Sequence, residues 1–393
     1  MDTILKEADK KENKPKRDNL SKEIEDSFIG PPSLVFPPED VFAFNEVRSC
    51  ADLFRMYKEG YLDIKPDYQR DIVWKDPDMT RFIDSLVKNL PIPSMCFAVD
   101  YKTKKWKVID GLQRMSSIIR FLNPDSKWKL SSISDIHPEI SGKEVSELSN
   151  PNSDLHKHYR SVSDLTIPLN VLRCDFQKPE HLEYIFTIFY RLNSGGTKLS
   201  NQEIRNGIYQ GNFNELLKEL QNERVWVRLC KFARVRDDRR YRRQELVLRF
   251  FAFNDSFESY KGPLVTFLNN YMSDQRYLEV NDIEKRKELF LSTASIVDSK
   301  LVMSKSNIIK DSPFFDEVYD RRGGSIIQLE SAMIGVARNI NSIRECSREE
   351  IQKRYRRMMD DDEFTKEKLS GGLFMKDRVQ NRIRVAIDSF SDK

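Results

Sequence analysis

Apolar positions along Asp78–Leu90 follow a helical period: Met79, Phe82, Ile83, Leu86, Val87 and Leu90 fall on one face, and Pro91-Ile-Pro93 ends the run. Two short apolar stretches come next, Met95–Val99 and Trp106–Ile109, separated by polar residues that suit a hairpin. Beyond Ile109 the period changes again. Asp110-Gly111 reads as a tight turn, and Met115, Ile118, Ile119 and Leu122 line the apolar face of a helix that follows it. Upstream, Val47, Leu53, Phe54 and Tyr57 predict one helix within Glu46–Leu62, ending near Gly60, and Ile64–Trp74 is an extended, proline-broken segment.

Asn123–Ser163, rich in Ser, Asn, Asp and Pro, predicts a surface insertion with little regular structure. Ile167–Leu172 predicts a strand, with Pro168 marking an edge or a strand start. A helix over Pro179–Tyr190 leads into the loop Arg191–Ser200, and Ser200 with Glu203 forms a capping box for a helix carrying Ile204 and Ile208. Past Gly211 strand signals are scarce. Phe213–Leu220, Tyr241–Phe253, Pro263–Tyr271, Ile283–Val302, Ile326–Ile343 and Arg348–Met359 all carry the helical period. The expected class is therefore α+β at the N-terminal side and mainly α-helical after it. The expected division is a charged, disordered tail over 1–35, a first domain over 36–210 and a helical domain over 211–393.

Composition adds exclusions. A chain of 393 residues with 39% hydrophobic and 33% charged positions can bury two cores. No apolar run approaches the ~18 residues a membrane span needs, and the charged N-terminus has no apolar signal segment. Cys50, Cys96, Cys174, Cys230 and Cys346 are odd in number and widely spaced, which predicts reduced thiols in a cytoplasmic protein rather than a disulfide frame. The net charge of +4 is modest, but Arg234, Arg236, Arg239, Arg240, Arg242 and Arg243 crowd one stretch. Clustered arginines suit phosphate neutralisation on nucleic acid, or equally a solvated helix start balanced by Asp237 and Asp238.

The strand-glycine-helix turn is the main candidate for chemistry. It presents backbone N–H groups and the positive end of a helix dipole, and Arg114 adds a planar cationic fork, so an anion fits. Taken alone such a turn is a weak signal, because glycine turns between strand and helix are common. Gln69 and Arg70 near Trp74 offer a second fork, against a solvated charge beside a core tryptophan. Asn193-Ser194-Gly195-Gly196 offers a backbone nest, against simple helix punctuation. Asp84 lies off its helix's apolar stripe and is expected to be exposed. His156 and His158, two apart in the polar insertion, lack further metal ligands nearby in sequence and read as solvated loop histidines.

The ordered set Tyr68-Gln-Arg-Asp-Ile-Val-Trp74, Phe82-Ile-Asp-Ser-Leu86, Pro91-Ile-Pro93, Ile109-Asp-Gly-Leu-Gln-Arg-Met-Ser-Ser117, Phe189–Ser200 and Glu203-Ile-Arg-Asn206 resembles the GmrSD-type restriction family across roughly 45–210. That resemblance implies a ParB/sulfiredoxin-like fold that binds and hydrolyses a nucleoside triphosphate with Mg²⁺, in defence against foreign DNA. It implies Asp110, Gln113 and Arg114 as catalytic residues, with Asp110 holding the metal. Gln69, Arg70, Gly111, Leu112, Asn193, Ser194 and Gly195 would contact nucleotide. A common family form of the turn is Asp-Gly-Gln-Gln-Arg; Leu112 replaces its first glutamine, which puts hydrolysis, as distinct from binding, in question. Two alternatives stay open: a nuclease or nickase using the same pocket, and a nucleotide or DNA sensor working with a partner nuclease. Oligomeric state is not legible.

Overall fold

The computed structural model describes residues 27–28, 30–32, 36–64, 74–192, 199–233, 235, 240–302, 324–365 and 367–392. They form two compact units. One spans 35–198; the other joins 199–393 to the described residues ahead of position 35.

The first unit is a mixed α+β domain. Its chain order is β1 (Phe42–Ser49), α1 (Cys50–Lys58), β2 (Leu62–Asp63), α2 (Asp76–Val87), β3 (Met95–Asp100), β4 (Trp106–Asp110), α3 (Leu112–Leu122), α4 (Val145–Ser149), α5 (His156–Asp164), β5 (Thr166–Cys174) and α6 (Pro179–Leu192). The five strands make one sheet in the order β1-β5-β3-β4-β2. β1 runs antiparallel to β5, β5 parallel to β3, β3 antiparallel to β4, and β4 parallel to β2. β3 lies between two neighbours and is buried at all six residues, so both faces of the sheet are covered there. The predicted hairpin is present. Asp100 Oδ1 accepts the N–H groups of Lys102 and Thr103, both at 2.8 Å, while Oδ2 accepts Phe176 N–H at 2.8 Å. One buried carboxylate thus holds both the hairpin turn and the exit from β5.

Four expectations need correction. Residues 46–49 are strand, not helix: Phe42–Ser49 pairs residue by residue with Arg173–Thr166, and the helix begins only where the Ser49 side chain caps Asp52 N–H at 3.1 Å. Tertiary pairing overrides the local pattern there. The 123–163 insertion has regular structure in α4 and α5, and it buries Trp128, Leu130, Ile136, Ile140, Val145, Leu148 and Val162. Asp84 is 5% exposed rather than exposed, because it accepts His137 N–H at 2.7 Å and pairs with Lys88 at 2.6 Å. Of the two readings of Pro168 only the edge one fails: β5 is an interior strand, and Pro168 is tolerated near its start because pairing with β3 begins only at Leu169.

The second unit is helical: α7 (Asn201–Ile208), α8 (Asn212–Leu220), α9 (Arg224–Phe232), α10 (Arg242–Ser256), α11 (Leu264–Asp274), α12 (Val280–Ile296), α13 (Gly324–Arg338), α14 (Ile340–Ile343), α15 (Arg348–Met359) and α16 (Lys376–Phe390). α9 and α16 were not predicted. The unit begins at Leu199 and so takes in α7, which the sequence reading assigns to the first domain. All eight α7 residues are buried, and they are tied to α10 by polar contacts. Arg205 pairs with Glu245 at 3.0 Å, and Asn206 and Gln244 exchange amide bonds of 2.9 and 2.8 Å. The Ser200–Glu203 capping box is present. The tail expectation also changes at its end: Ser27 and Phe28 are buried, with Phe28 under the Arg249 guanidinium at 4.5 Å. Among the described residues no helix is long and apolar enough to cross a membrane.

Candidate functional site

β4 delivers Asp110, Gly111 and the start of α3 to one point. Val108 and Ile109 are buried in the sheet, and Gly111 takes φ +97°, which places the chain in the left-handed region as it turns into the helix. Glycine is required twice over here. A Cβ at Gly111 would sit 2.6 Å from Met95 Cγ and 2.8 Å from Sδ, in a conformation that L side chains rarely adopt. Leu112, Met115, Ile118, Ile119 and Leu122 anchor α3 in the core. Leu112 is 4% exposed, so its side chain belongs to that core and what it offers the turn is its N–H.

The polar residues of the turn bind one another. Arg114 Nη2 donates to Asp110 Oδ2 at 2.8 Å, and the same guanidinium donates to Pro93 O and Ser94 O. Arg114 therefore clamps the end of the proline segment onto the turn, at 15% side-chain exposure, while Asp110 remains 38% exposed. Gln113 Oε1 accepts Trp74 N–H at 3.3 Å, and Trp74 packs edge-on against Phe82 at 5.7 Å. Trp74 is thereby held at the turn.

Residues 50–210 match the family model of the GmrSD restriction endonuclease, N-terminal domain. No curated protein and no solved structure gives a match. The GmrSD-type region takes in all of the first unit from α1 onward and continues through α7 of the helical unit.

Of the predicted site residues, the GmrSD-type domain brings Asp110, Gly111, Leu112, Gln113 and Arg114 together at the turn. Gln69, Arg70, Asn193, Ser194, Gly195, Arg234, Arg236 and Arg239 lie outside the described residues. Arg240, Arg242 and Arg243 belong to the helical unit and are only half-exposed. Arg242 stacks over Phe28 at 5.1 Å, and Arg243 O accepts the Trp226 indole N–H at 3.1 Å. Arg242 and Arg243 open α10, and Arg240 lies just ahead of it.

A second polar cluster in the GmrSD-type domain was missed by sequence reasoning. His158 Nε2 lies 2.6 Å from Glu139 Oε2, Lys157 Nζ lies 2.7 Å from the same oxygen, and the His137 and His158 rings lie tilted at 57° with centroids 4.8 Å apart. Lys157 and His158 together hold the Glu139 carboxyl down at about 2. His156 is not part of it: its Nδ1 contacts Leu148 O at 3.2 Å and its ring stacks on Tyr159. His158, read from sequence as a solvated loop histidine, is instead buried in α5 beside His137 and Glu139. Only spatial folding joins them. All five cysteines are free thiols, and burial pushes Cys50, Cys96 and Cys174 up to about 12.

Proposed function

We propose that the GmrSD-type domain binds a nucleoside triphosphate with Mg²⁺ at the β4–α3 turn and hydrolyses it, within a prokaryotic DNA restriction or phage-defence system. The observation that carries this reading is the turn itself: a left-handed Gly111 leading into a helix N-terminus, with a half-exposed carboxylate at its mouth. The amides at the start of α3 point along the helix axis towards the turn and suit phosphate oxygens. Asp110 suits a hard cation that is otherwise held by phosphate and water, so it fits as the metal's protein ligand. When bound, Mg²⁺ supplies neutralisation of the phosphate charge.

The chain's own residues then divide the work. Asp110 holds the cation or orients a water through its exposed carboxylate. Arg114 positions that carboxylate and, being engaged by Pro93 O and Ser94 O, acts on phosphate less directly than a free fork would. Gln113 holds Trp74 against the turn. Because the Leu112 side chain is in the core, its exchange for glutamine alters packing and leaves the mouth of the turn to Asp110 and Gln113.

A nucleotide panel with Mg²⁺, read by thermal shift and then by phosphate release, tests the proposal. One nucleotide should raise apparent stability by about 2.7 kcal/mol at a hundredfold excess over its Kd. Asp110→Asn should keep nucleotide binding in the absence of metal and cut turnover by about 10²-fold or more. If no nucleotide shifts the transition, the reading is wrong. Binding without phosphate release would leave the sensor role, and nucleotide-independent plasmid nicking would replace both with a nuclease.

A further inference from the structure

We propose that His137, Glu139 and His158 form a site for one divalent transition-metal ion of the zinc class, which staples the loop at 137–139 to α5. The inference is independent of the nucleotide reading. Two imidazoles and one carboxylate are a zinc donor set, whereas Mg²⁺ and Ca²⁺ favour all-oxygen surroundings. One ligand atom from each of the three residues lies within 4.8 Å of the other two.

Bond lengths near 2.0–2.1 Å at tetrahedral angles set ligand atoms about 3.3 Å apart. The present spacings straddle that value. Glu139 and His158 stand closer, at 2.6 Å, and the widest pair lies within 4.8 Å, so small side-chain rotations in opposite senses bring all three to it. The contact from Glu139 N–H to His137 Nδ1, at 3.3 Å, is given up in the process.

The backbone is already held in place for this. His137 N–H is fixed by the buried Asp84 of α2, and His158 sits in α5, which packs on α2. Three protein ligands leave a fourth position, and the exposure of Glu139 (43%) opens it to water. Lys157 neutralises Glu139 without the ion. Its side chain is 61% exposed and is the group that must swing away.

This competition gives a test that a folding defect cannot imitate. The metal-stripped full chain is titrated with Zn²⁺ against a chromophoric chelator, and in parallel with Co²⁺ read by visible absorption. One equivalent should bind, with a tetrahedral cobalt spectrum free of thiolate bands. His137→Ala and His158→Ala should bind more than about 100-fold more weakly, since outer partners of metal ligands alone are worth about 10–100-fold. Lys157→Met should bind several-fold more tightly, and His156→Ala should match the wild type. No stoichiometric uptake, a thiolate band, undiminished affinity in both histidine variants, or no gain in Lys157→Met overturns the site.

Discussion

Gly111 concentrates most of what the turn requires. Its left-handed conformation and its contact with Met95 leave no room for a side chain, so Gly111→Ala should destabilise the first unit by about 1–3 kcal/mol from backbone strain, with the clash adding to it. Thermal unfolding would show the loss, and nucleotide binding should weaken in step because the α3 amides move. A second residue-level prediction concerns pH. Hydrogen bonds from Lys178, then His181, hold the Asp40 carboxyl down at about 2. A lowered folded value means that the unfolded state takes up the proton first. The stabilisation is complete above the ordinary carboxylate value near 4 and is lost as pH falls through about 2. The stability difference between wild type and Asp40→Asn should thus be constant above pH ~5 and close between pH ~4 and ~2. A difference that persists unchanged to pH 2 would show that the carboxylate's ionisation is not what Lys178 and His181 recognise.

Among the elements, α10 carries the most unusual chemistry for its burial. It is buried from Gln244 to Asn254, yet Glu245 sits between Arg205 at 3.0 Å and Arg249 at 2.7 Å, all with side chains at most 1% exposed. Gln202 Oε1, Asn269 Oδ1 and Val265 O also accept from Arg205. Removing the shared carboxylate takes the close ion pair from two buried guanidinium groups and leaves Arg249 the more distant Glu330 at 3.7 Å, so Glu245→Ala should cost the helical unit about 3–5 kcal/mol in urea unfolding. Elements with a clean apolar stripe, such as α2 and α3, were legible from sequence because the stripe is the face they bury. β1 was not: Phe42, Phe44 and Val47 remain exposed, so its apolar residues do not mark a buried face, and only pairing with β5 defines it. The insertion escaped for the converse reason, since Trp128, Leu130 and Ile136 are buried singly from irregular chain that has no period. The turn was legible because its residues are contiguous. The His137–Glu139–His158 cluster was not, because α4 and the loops around it lie between its members.

At the scale of the whole molecule, the two units place different demands on the chain. The helical unit is closed by helix pairs such as α13 with α16, where Gly335 leaves no room for a Cβ against Phe390 and Ala386 O. The GmrSD-type unit pairs its first strand with its last. The closest pair in sequence, Ser49 with Thr166, encloses α1, β2, α2, the β3–β4 hairpin, α3 and the whole insertion. During synthesis β1 therefore emerges long before β5 exists. At about 5–20 residues per second the interval is on the order of ten seconds. Throughout it the nascent chain displays Phe42, Phe44 and Val47 on a strand whose hydrogen-bonding edge has no partner, and that edge is where chaperone engagement or aggregation on the ribosome should begin.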